Sequence, residues 1–124
     1  MQTIILAGGL GTRLRPLTNT IPKPMIHING KPYLEYQIEY LKRFNLIDIL
    51  ILVGYLGESI ESYFGDGKHF GVNITYSYEK EPLGTAGGIK NAEENITENE
   101  FLLLYGDSFL PINLTEFTDF FFTE

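Results

Sequence analysis

Four short apolar runs, separated by stretches with helical periodicity, limit most strongly what this chain can fold into. Residues 3–7, 49–53 and 101–105 are nearly continuous in Ile, Leu and Val, as strands buried on both faces of a parallel sheet tend to be. Residues 72–78 alternate apolar and polar side chains, a pattern typical of an edge or half-exposed strand. The sequence therefore predicts four strands, three of them buried on both faces.

The clearest helical pattern follows Pro32, which suits a first helical position. Two apolar stripes lie on this helix and predict that it is covered on two sides. They consist of Leu34, Ile38 and Leu41, and of Tyr33, Tyr36, Tyr40 and Phe44. A shorter helix with Ile60 and Phe64 ends at residues 65–67, a Gly-Asp-Gly turn.

Two further helices are expected towards the end of the chain. One follows Gly84 and carries the apolar face Ala86, Ile89, Ala92 and Ile96. The other begins at Asn113, which can cap a helix. Its apolar face consists of Leu114, Phe117 and Phe121. Strands that alternate with helices indicate βαβ units on a parallel sheet, so the predicted fold class is α/β.

Composition excludes several classes of protein. With 124 residues and no cysteine, the chain suits one compact domain and has neither a disulfide framework nor a thiolate metal site. No apolar run approaches membrane-spanning length, and no basic residue precedes the first run, so we expect no membrane partner and no secretory signal. We therefore expect a cytoplasmic protein. Its net charge of −7 argues against nucleic acid as a partner.

Charge is distributed unevenly along the chain. Residues 1–43 carry six Lys and Arg against two Glu, a net of +4, whereas the rest carries three against 14 acids, a net of −11. A cationic segment on an acidic protein indicates a local anion site, although chance clustering of six charges explains the same counts.

A glycine-rich turn follows the first predicted strand, at the end of a strand where open α/β sheets bind ligands. Glycines at positions 8, 9 and 11 let the backbone approach a phosphate, and successive N–H groups then face its oxygens. The turn is not a Walker A loop, and Leu14 stands where a dinucleotide fingerprint has its third glycine. Arg13 can bind a phosphate through its guanidinium, or it can face solvent beside an ordinary tight turn.

Lys23 lies between two prolines that stiffen its backbone and exclude helix around it. An ammonium held in this way loses little conformational entropy when it binds an anion. Considered without the rest of the sequence, this segment would be interpreted as an ordinary surface loop. Because Lys23 comes ten residues after Arg13, with no acidic residue between them, it is a second candidate for phosphate binding.

Four segments together resemble the sugar-phosphate nucleotidyltransferases, also called nucleoside-diphosphate-sugar pyrophosphorylases. They are residues 6–18 (LAGGLGTRLRPLT), 22–25 (PKPM), 78–88 (YEKEPLGTAGG) and 103–108 (LLYGDS). Their order and spacing are similar to those of the family, and together they extend over the whole chain. We expect a Rossmann-like, three-layer α/β/α fold with a mainly parallel sheet, whose four strands take the order 3-2-1-4.

The resemblance also implies roles for individual residues. The nucleotide-binding set would be Leu6, Ala7, Gly8, Gly9, Gly11, Thr12, Arg13, Glu79, Gly84 and Thr85. Within it, Arg13 would bind the leaving pyrophosphate and stabilise the transition state, while Glu79 and Gly84 would touch the base. Lys23, the second catalytic residue, would contact the α-phosphate or the sugar phosphate. Asp107 resembles the family's Mg²⁺ ligand.

The residue types suit in-line transfer. A sugar 1-phosphate oxygen is already an anion, so the protein must mainly align it with the α-phosphate and neutralise charge. Asp107 comes just after the buried run at 101–105, with one residue between, which predicts a position at the carboxyl edge of the sheet beside the first loop. The alternative for Asp107 is a turn or capping residue. His27 and His69 lack a partner at metal-ligand spacing and are read as structural or surface residues.

Family members are longer, and their second half supplies most of the sugar pocket and a second metal-binding aspartate. We therefore expect residues 1–124 to be the N-terminal nucleotide-binding half of a nucleotidyltransferase domain, with an NTP and a sugar 1-phosphate as partners. Two further partners are left open as alternatives: a second copy of the chain in a homo-oligomer, and a complementing C-terminal part. Two other hypotheses are a non-catalytic nucleotide-binding or interaction module and a dinucleotide-dependent Rossmann enzyme, which the missing third glycine disfavours.

The nucleotide base is the least determined feature. Glu79 can accept hydrogen bonds from guanine N1–H and N2–H₂, a pair of donors that uracil and thymine lack. The motifs look most like those of mannose- or heptose-1-phosphate guanylyltransferases. Uridylyltransferases acting on amino-sugar phosphates share much of the pattern, so guanylyl transfer is the expectation and uridylyl transfer the alternative.

Overall fold

A four-stranded parallel sheet forms the centre of the computed structural model, which describes residues 1–7, 23–54, 57–79, 84–98 and 100–105. The strands are β1 (Gln2–Ala7), β2 (His27–Ile28), β3 (Lys31–Pro32), β4 (Asp48–Val53), β5 (Asn73–Tyr78) and β6 (Phe101–Tyr105). The α-helices are α1 (Tyr33–Arg43), α2 (Gly57–Phe64) and α3 (Gly84–Asn91). Single 3₁₀ turns cover Lys23–Met25, Lys68–Phe70 and Glu93–Asn95.

The strands of the large sheet follow the order β5-β4-β1-β6, and every neighbouring pair is parallel. Counted along the four predicted runs, this is 3-2-1-4, so the predicted α/β class and strand order are confirmed. The register pairs Ala7 with Val53 and Val53 with Tyr78, while Tyr105 pairs with Leu6. All four strands therefore end at nearly the same level, which forms one carboxyl edge.

Alternate residues of the inner strands point to opposite faces, and both faces are covered. The first face packs Ile5, Ala7, Ile49, Ile51 and Val53 against α1 and α2 through Leu34, Ile38, Leu41, Ile60 and Phe64. The second face packs Ile4, Leu50 and Leu52 against Ala92 and the half-buried Ile89 and Ile96. Helices on both faces give the predicted three layers, and each fully buried Leu or Ile contributes about 1.5–3 kcal/mol of transfer free energy.

One strand of the sheet, β6, is less buried than its sequence predicts. β1 and β4 are buried on both faces, as expected, and β5 lies at one end of the sheet with alternating exposure. β6 was expected to be buried on both faces, but its first four residues are half-buried and Tyr105 is exposed. The reason is that β6 pairs only with β1 within the part of the chain that the structure describes. The helix expected after Asn113 lies outside those residues.

A two-residue hairpin, β2–β3, precedes α1 and is absent from the sequence prediction. Its turn is Asn29-Gly30, with φ values of 52° and 88°, as a type I′ turn requires. Because Pro32 pairs with His27 in this hairpin, its ψ is 143°. The prediction that Pro32 is the first helical residue is therefore wrong: Pro32 is extended, and α1 begins at Tyr33.

The helix after Gly84 is shorter than its apolar pattern predicts. It ends at Asn91, and a 3₁₀ turn over Glu93–Asn95 leads to Ile96, which is extended at φ −86° and ψ 116°. The N–H of Ala92 is shared between the carbonyls of Gly88 and Ile89, so the last turn tightens before the helix stops. Ala92 and Ile96 still pack on the second face. The predicted face is confirmed for Ile89, Ala92 and Ile96, and the predicted helix length is wrong.

The turn between α2 and β5 offers a matched test of packing. Gly65 and Gly67 both have positive φ, at 54° and 83°. A Cβ at Gly65 would meet nothing within 4 Å, whereas one at Gly67 would lie 2.9 Å from the backbone oxygen of Val72 and 2.7 Å from Ile74. We expect Gly65→Ala to lower the unfolding free energy by about 1–2 kcal/mol through backbone strain alone. Gly67→Ala should lower the unfolding free energy by about 1–3 kcal/mol more, because its Cβ would overlap Val72 and Ile74.

Urea unfolding of the two variants measures the difference. Equal losses would contradict the close packing of this turn against the start of β5.

Candidate active site at the carboxyl edge

The chain changes direction across the sheet between β1 and β6. From β1 it runs through α1 to β4 and through α2 to β5, with both helices on the first face. It then crosses by α3, whose end packs on the second face, and returns to the other side of β1 as β6. Ligands of open α/β sheets bind outside the carboxyl ends of strands at such a switch point. The carboxyl ends of β1 and β6, at Ala7 and Tyr105, lie side by side there.

Only part of the predicted nucleotide-binding set falls in the part of the chain that the structure describes. Leu6 is half-buried and Ala7 is buried at the end of β1, where the switch point requires them. Gly84 and Thr85 form the first turn of α3. Glu79 directly follows β5. The other members of the set, Gly8, Gly9, Gly11, Thr12 and Arg13, lie outside the described residues, and so does the predicted metal ligand Asp107.

Lys23 opens the 3₁₀ turn that ends at Met25, and its side chain is outside the description. The expectation that the flanking prolines exclude helix is wrong to this extent, because a single helical turn forms. The fixed φ of Pro24 suits the start of a turn, where its missing N–H is not needed. Met25 is buried against the α1 and α2 core, so the segment that carries Lys23 is anchored to the protein.

Glu79 continues β5 past its last residue. Its N–H donates to the carbonyl of Val53 at 2.8 Å, which holds its backbone against the end of β4. The amide of Asn91 donates to the carbonyl of Tyr78 at 3.1 Å and ties the far end of α3 to the same place. The half-buried Glu79 carboxylate lies against α3 at Gly88, where a Cβ would come within 2.7 Å of its Oε1. A carboxylate at this position can accept hydrogen bonds from a ligand at the carboxyl edge.

Tyr78, the neighbour of Glu79, is exposed, and its hydroxyl is hydrogen-bonded to α2. Its hydroxyl donates to the carboxylate of Glu61 on α2, and this hydrogen bond raises the pKa of Tyr78 to about 12. The phenol is therefore neutral at physiological pH and supplies neither a base nor a charge to the site. Glu79 is the acidic residue that directly follows β5 in the described part of the chain.

Gln37 is a buried polar residue that the sequence reasoning missed. It lies on α1 between Leu34 and Leu41, and its Nε2 donates to the carbonyl of Tyr105 at 2.9 Å. This bond ties α1 to the last residue of β6, two positions before Asp107. A polar side chain in the middle of an apolar helical stripe was the available signal, because a buried amide requires hydrogen-bond partners.

The cations of the first third of the chain divide into two groups. Lys31 pairs with Glu39 at 2.7 Å, Arg43 lies over the ring of Tyr40, and Lys42 extends beside Gly71 before β5. These three are on the hairpin and on α1. Arg13, Arg15 and Lys23 are thus the cations that remain as candidates for the predicted anion site.

Neither histidine belongs to a metal cluster in the described segments. His27 and His69 are both exposed, on β2 and on the turn before β5. Across those segments, no group of three or more His, Cys, Asp or Glu side chains could hold a metal ion. In the same part of the chain, none of the helices is both long and apolar enough to span a bilayer.

Comparisons with known proteins agree with this architecture. Residues 2–123 match the family model described as nucleotidyl transferase. The chain is 48% identical over 116 residues to a D-glycero-alpha-D-manno-heptose 1-phosphate guanylyltransferase of Campylobacter jejuni, covering 94% of this chain and 52% of that protein. It is 44% identical over 126 residues to a UTP–glucose-1-phosphate uridylyltransferase of Synechocystis, covering 93% of this chain and 32% of that protein.

A solved structure gives the same result. The crystal structure of HddC from Yersinia pseudotuberculosis complexed with GMP-PN has a TM-score of 0.84 and 36% identity to this chain, covering 95% of this chain and 52% of that one. The chain thus spans about half the length, or less, of the relatives it matches. The resemblance seen in the sequence is confirmed, and the chain belongs to the nucleotidyl transferase family.

Proposed function

We propose that this chain is the N-terminal nucleotide-binding half of a sugar-1-phosphate nucleotidyltransferase. The reaction joins an NTP to a sugar 1-phosphate, gives an NDP-sugar and releases pyrophosphate. The observation that carries the proposal is the meeting of β1 and β6 at the carboxyl edge, in a chain matched by the family over residues 2–123. The lack of cysteine suits a reducing compartment, and we place the protein in the cytoplasm.

The triphosphate would lie beyond the end of β1. Backbone N–H groups of the glycine-rich segment from Gly8 to Thr12 would bind its oxygens, and Arg13 would hold the departing pyrophosphate. Lys23 would contact the α-phosphate or the sugar phosphate from its anchored turn. The attacking phosphate oxygen is already an anion, so the site requires alignment and positive charge rather than a general base. The neutral Tyr78 is consistent with that requirement.

Asp107 is the residue proposed to hold Mg²⁺. Carboxylate oxygens are hard donors of the kind that Mg²⁺ takes in phosphoryl-transfer sites. Asp107 comes two residues after the end of β6, the strand that pairs with β1. When bound, the metal ion supplies positive charge to the triphosphate. Gln37 would support this arrangement by fixing the carbonyl of Tyr105.

Glu79 supports guanine as the base. Its carboxylate can accept from both N1–H and N2–H₂ of guanine, whereas uracil offers a single ring N–H. We therefore favour guanylyl transfer to mannose- or heptose-1-phosphate, in line with the heptose 1-phosphate guanylyltransferase relative. Uridylyl transfer is the second candidate, and the uridylyltransferase relative at 44% identity is the observation that favours it.

Replacing Arg13 by Ala tests the phosphate site. Loss of a charged hydrogen bond to phosphate removes about 1.5–3 kcal/mol, so GTP should bind about 10- to 150-fold more weakly. Calorimetry of GTP with Mg²⁺ measures the affinity, and pyrophosphate release with a panel of sugar 1-phosphates measures transfer. Arg43→Ala is the matched control, because it removes the same charge from the far end of α1.

Unchanged GTP affinity and unchanged pyrophosphate release in Arg13→Ala would refute the site. A chain that binds GTP but releases no pyrophosphate with any sugar 1-phosphate would support the non-catalytic module instead of the transferase.

Replacing Glu79 by Gln tests the base contact. The amide presents one acceptor and one donor group, so it cannot accept from both guanine donors. We expect GTP affinity to fall about 10-fold or more while UTP affinity changes little, as measured by competition binding. The control is Glu94→Gln, the same change at an exposed residue in the turn after α3. An unchanged ratio of the two affinities would exclude Glu79 from base recognition.

A further inference from the structure

Gly88 occupies a helix position where glycine is unfavourable for folding. It lies in the interior of α3, and glycine there costs more backbone entropy than alanine. Its conformation does not explain the choice, because Gly88 is absent from the residues with positive φ. The reason must be sought in what a side chain at this position would contact.

The obstacle to a side chain at Gly88 is the Glu79 carboxylate. A Cβ built there would lie 2.7 Å from Oε1 and 3.7 Å from Cδ of Glu79, closer than real Cβ atoms come to an oxygen. The next atom is Cδ1 of Leu52 at 3.5 Å, an ordinary van der Waals distance. The core would therefore accept a methyl group at position 88, and the charged end of Glu79 would not.

The backbone on both sides of this contact is fixed. The N–H of Glu79 is bonded to Val53, and Asn91 bonds the carbonyl of Tyr78 from the end of α3. A methyl group at position 88 would thus move neither strand nor helix easily. The movable part is the Glu79 side chain, whose carboxylate must rotate away from α3.

We propose that Gly88 is a positioning residue for base selectivity. Its lack of a side chain leaves the space against α3 that the Glu79 carboxylate occupies, and this contact sets the direction of the carboxylate at the carboxyl edge. The inference rests on the proposed function, in which Glu79 receives two hydrogen bonds from guanine. Because such a pair depends on the position of both oxygens, a displaced carboxylate loses it while the fold is retained.

The test replaces Gly88 by Ala and compares GTP with UTP in competition binding. We expect the preference for GTP to fall about tenfold, with a melting temperature equal to or above that of the parent chain. Lys90→Ala is the control on the same helix, since Lys90 is exposed and pairs only at the surface with Glu93. It should leave the preference unchanged. A Gly88→Ala chain that unfolds would overturn the proposal, which requires the core to accept the methyl group.

A double-mutant cycle with Glu79→Ala separates this inference from the proposed function. Without the carboxylate there is nothing to displace, so adding Gly88→Ala to Glu79→Ala should have no further effect on GTP affinity. An equal loss in both backgrounds would show that Gly88 acts by another route. If Glu79→Ala reduces the preference for GTP and Gly88→Ala does not, the inference fails and the base contact stands. If neither variant changes the preference, the role of Glu79 itself fails.

Discussion

The pairing of β1 with both of its neighbours is the constraint on which the structure depends. β1 is hydrogen-bonded to β4 on one side and to β6 on the other, in parallel throughout. Its residues alternate between the two packed faces, with Ile5 on one and Ile4 on the other, and both are fully buried. A shift of one residue along β1 would exchange the two faces, so its register is strongly determined.

The same register sets the geometry of the site. Because the four strands run in one direction and end together, the segments that follow them leave from one edge of the sheet. The glycine-rich segment, Glu79 and Asp107 come after three different strands, β1, β5 and β6, and are far apart in the chain. Parallel pairing gives the ends of these three strands a common edge, and the buried Gln37 adds a side-chain bond to the end of β6. The proposed function therefore depends on the topology as much as on the individual residues.

The strands and their order could be predicted because apolar periodicity is a strong signal when both sheet faces are buried. Two predictions that failed concerned helix ends, where local turns and pairings compete with the helix. The β2–β3 hairpin was not predicted, because its strands are too short to show periodicity. The pairing of Pro32 in that hairpin moved the start of α1 to Tyr33. Ile96 packs on the second face although α3 ends before it. Apolar spacing predicts which side chains are buried, but it does not predict the backbone conformation that carries them.

The site was predictable in part. Its location followed from the rule that ligands bind at carboxyl ends, and the residue roles came from the family resemblance. The contact between Glu79 and Gly88 joins positions nine apart, and no spacing rule predicts it. Gly87 and Gly88, two glycines within a helical pattern, indicated that another group packs closely against the helix. The sequence does not identify that group.

The central claim is that the carboxyl edge of this sheet binds a nucleoside triphosphate. Titration of the ¹⁵N-labelled chain with GTP and Mg²⁺ tests it most directly, through the amide chemical shifts. We expect saturable changes that are largest at Leu6, Ala7 and Glu79 and small at Asp48 and Asn73, where β4 and β5 begin. Changes centred on the opposite edge or on the β2–β3 hairpin, or no saturable change at all, would contradict it.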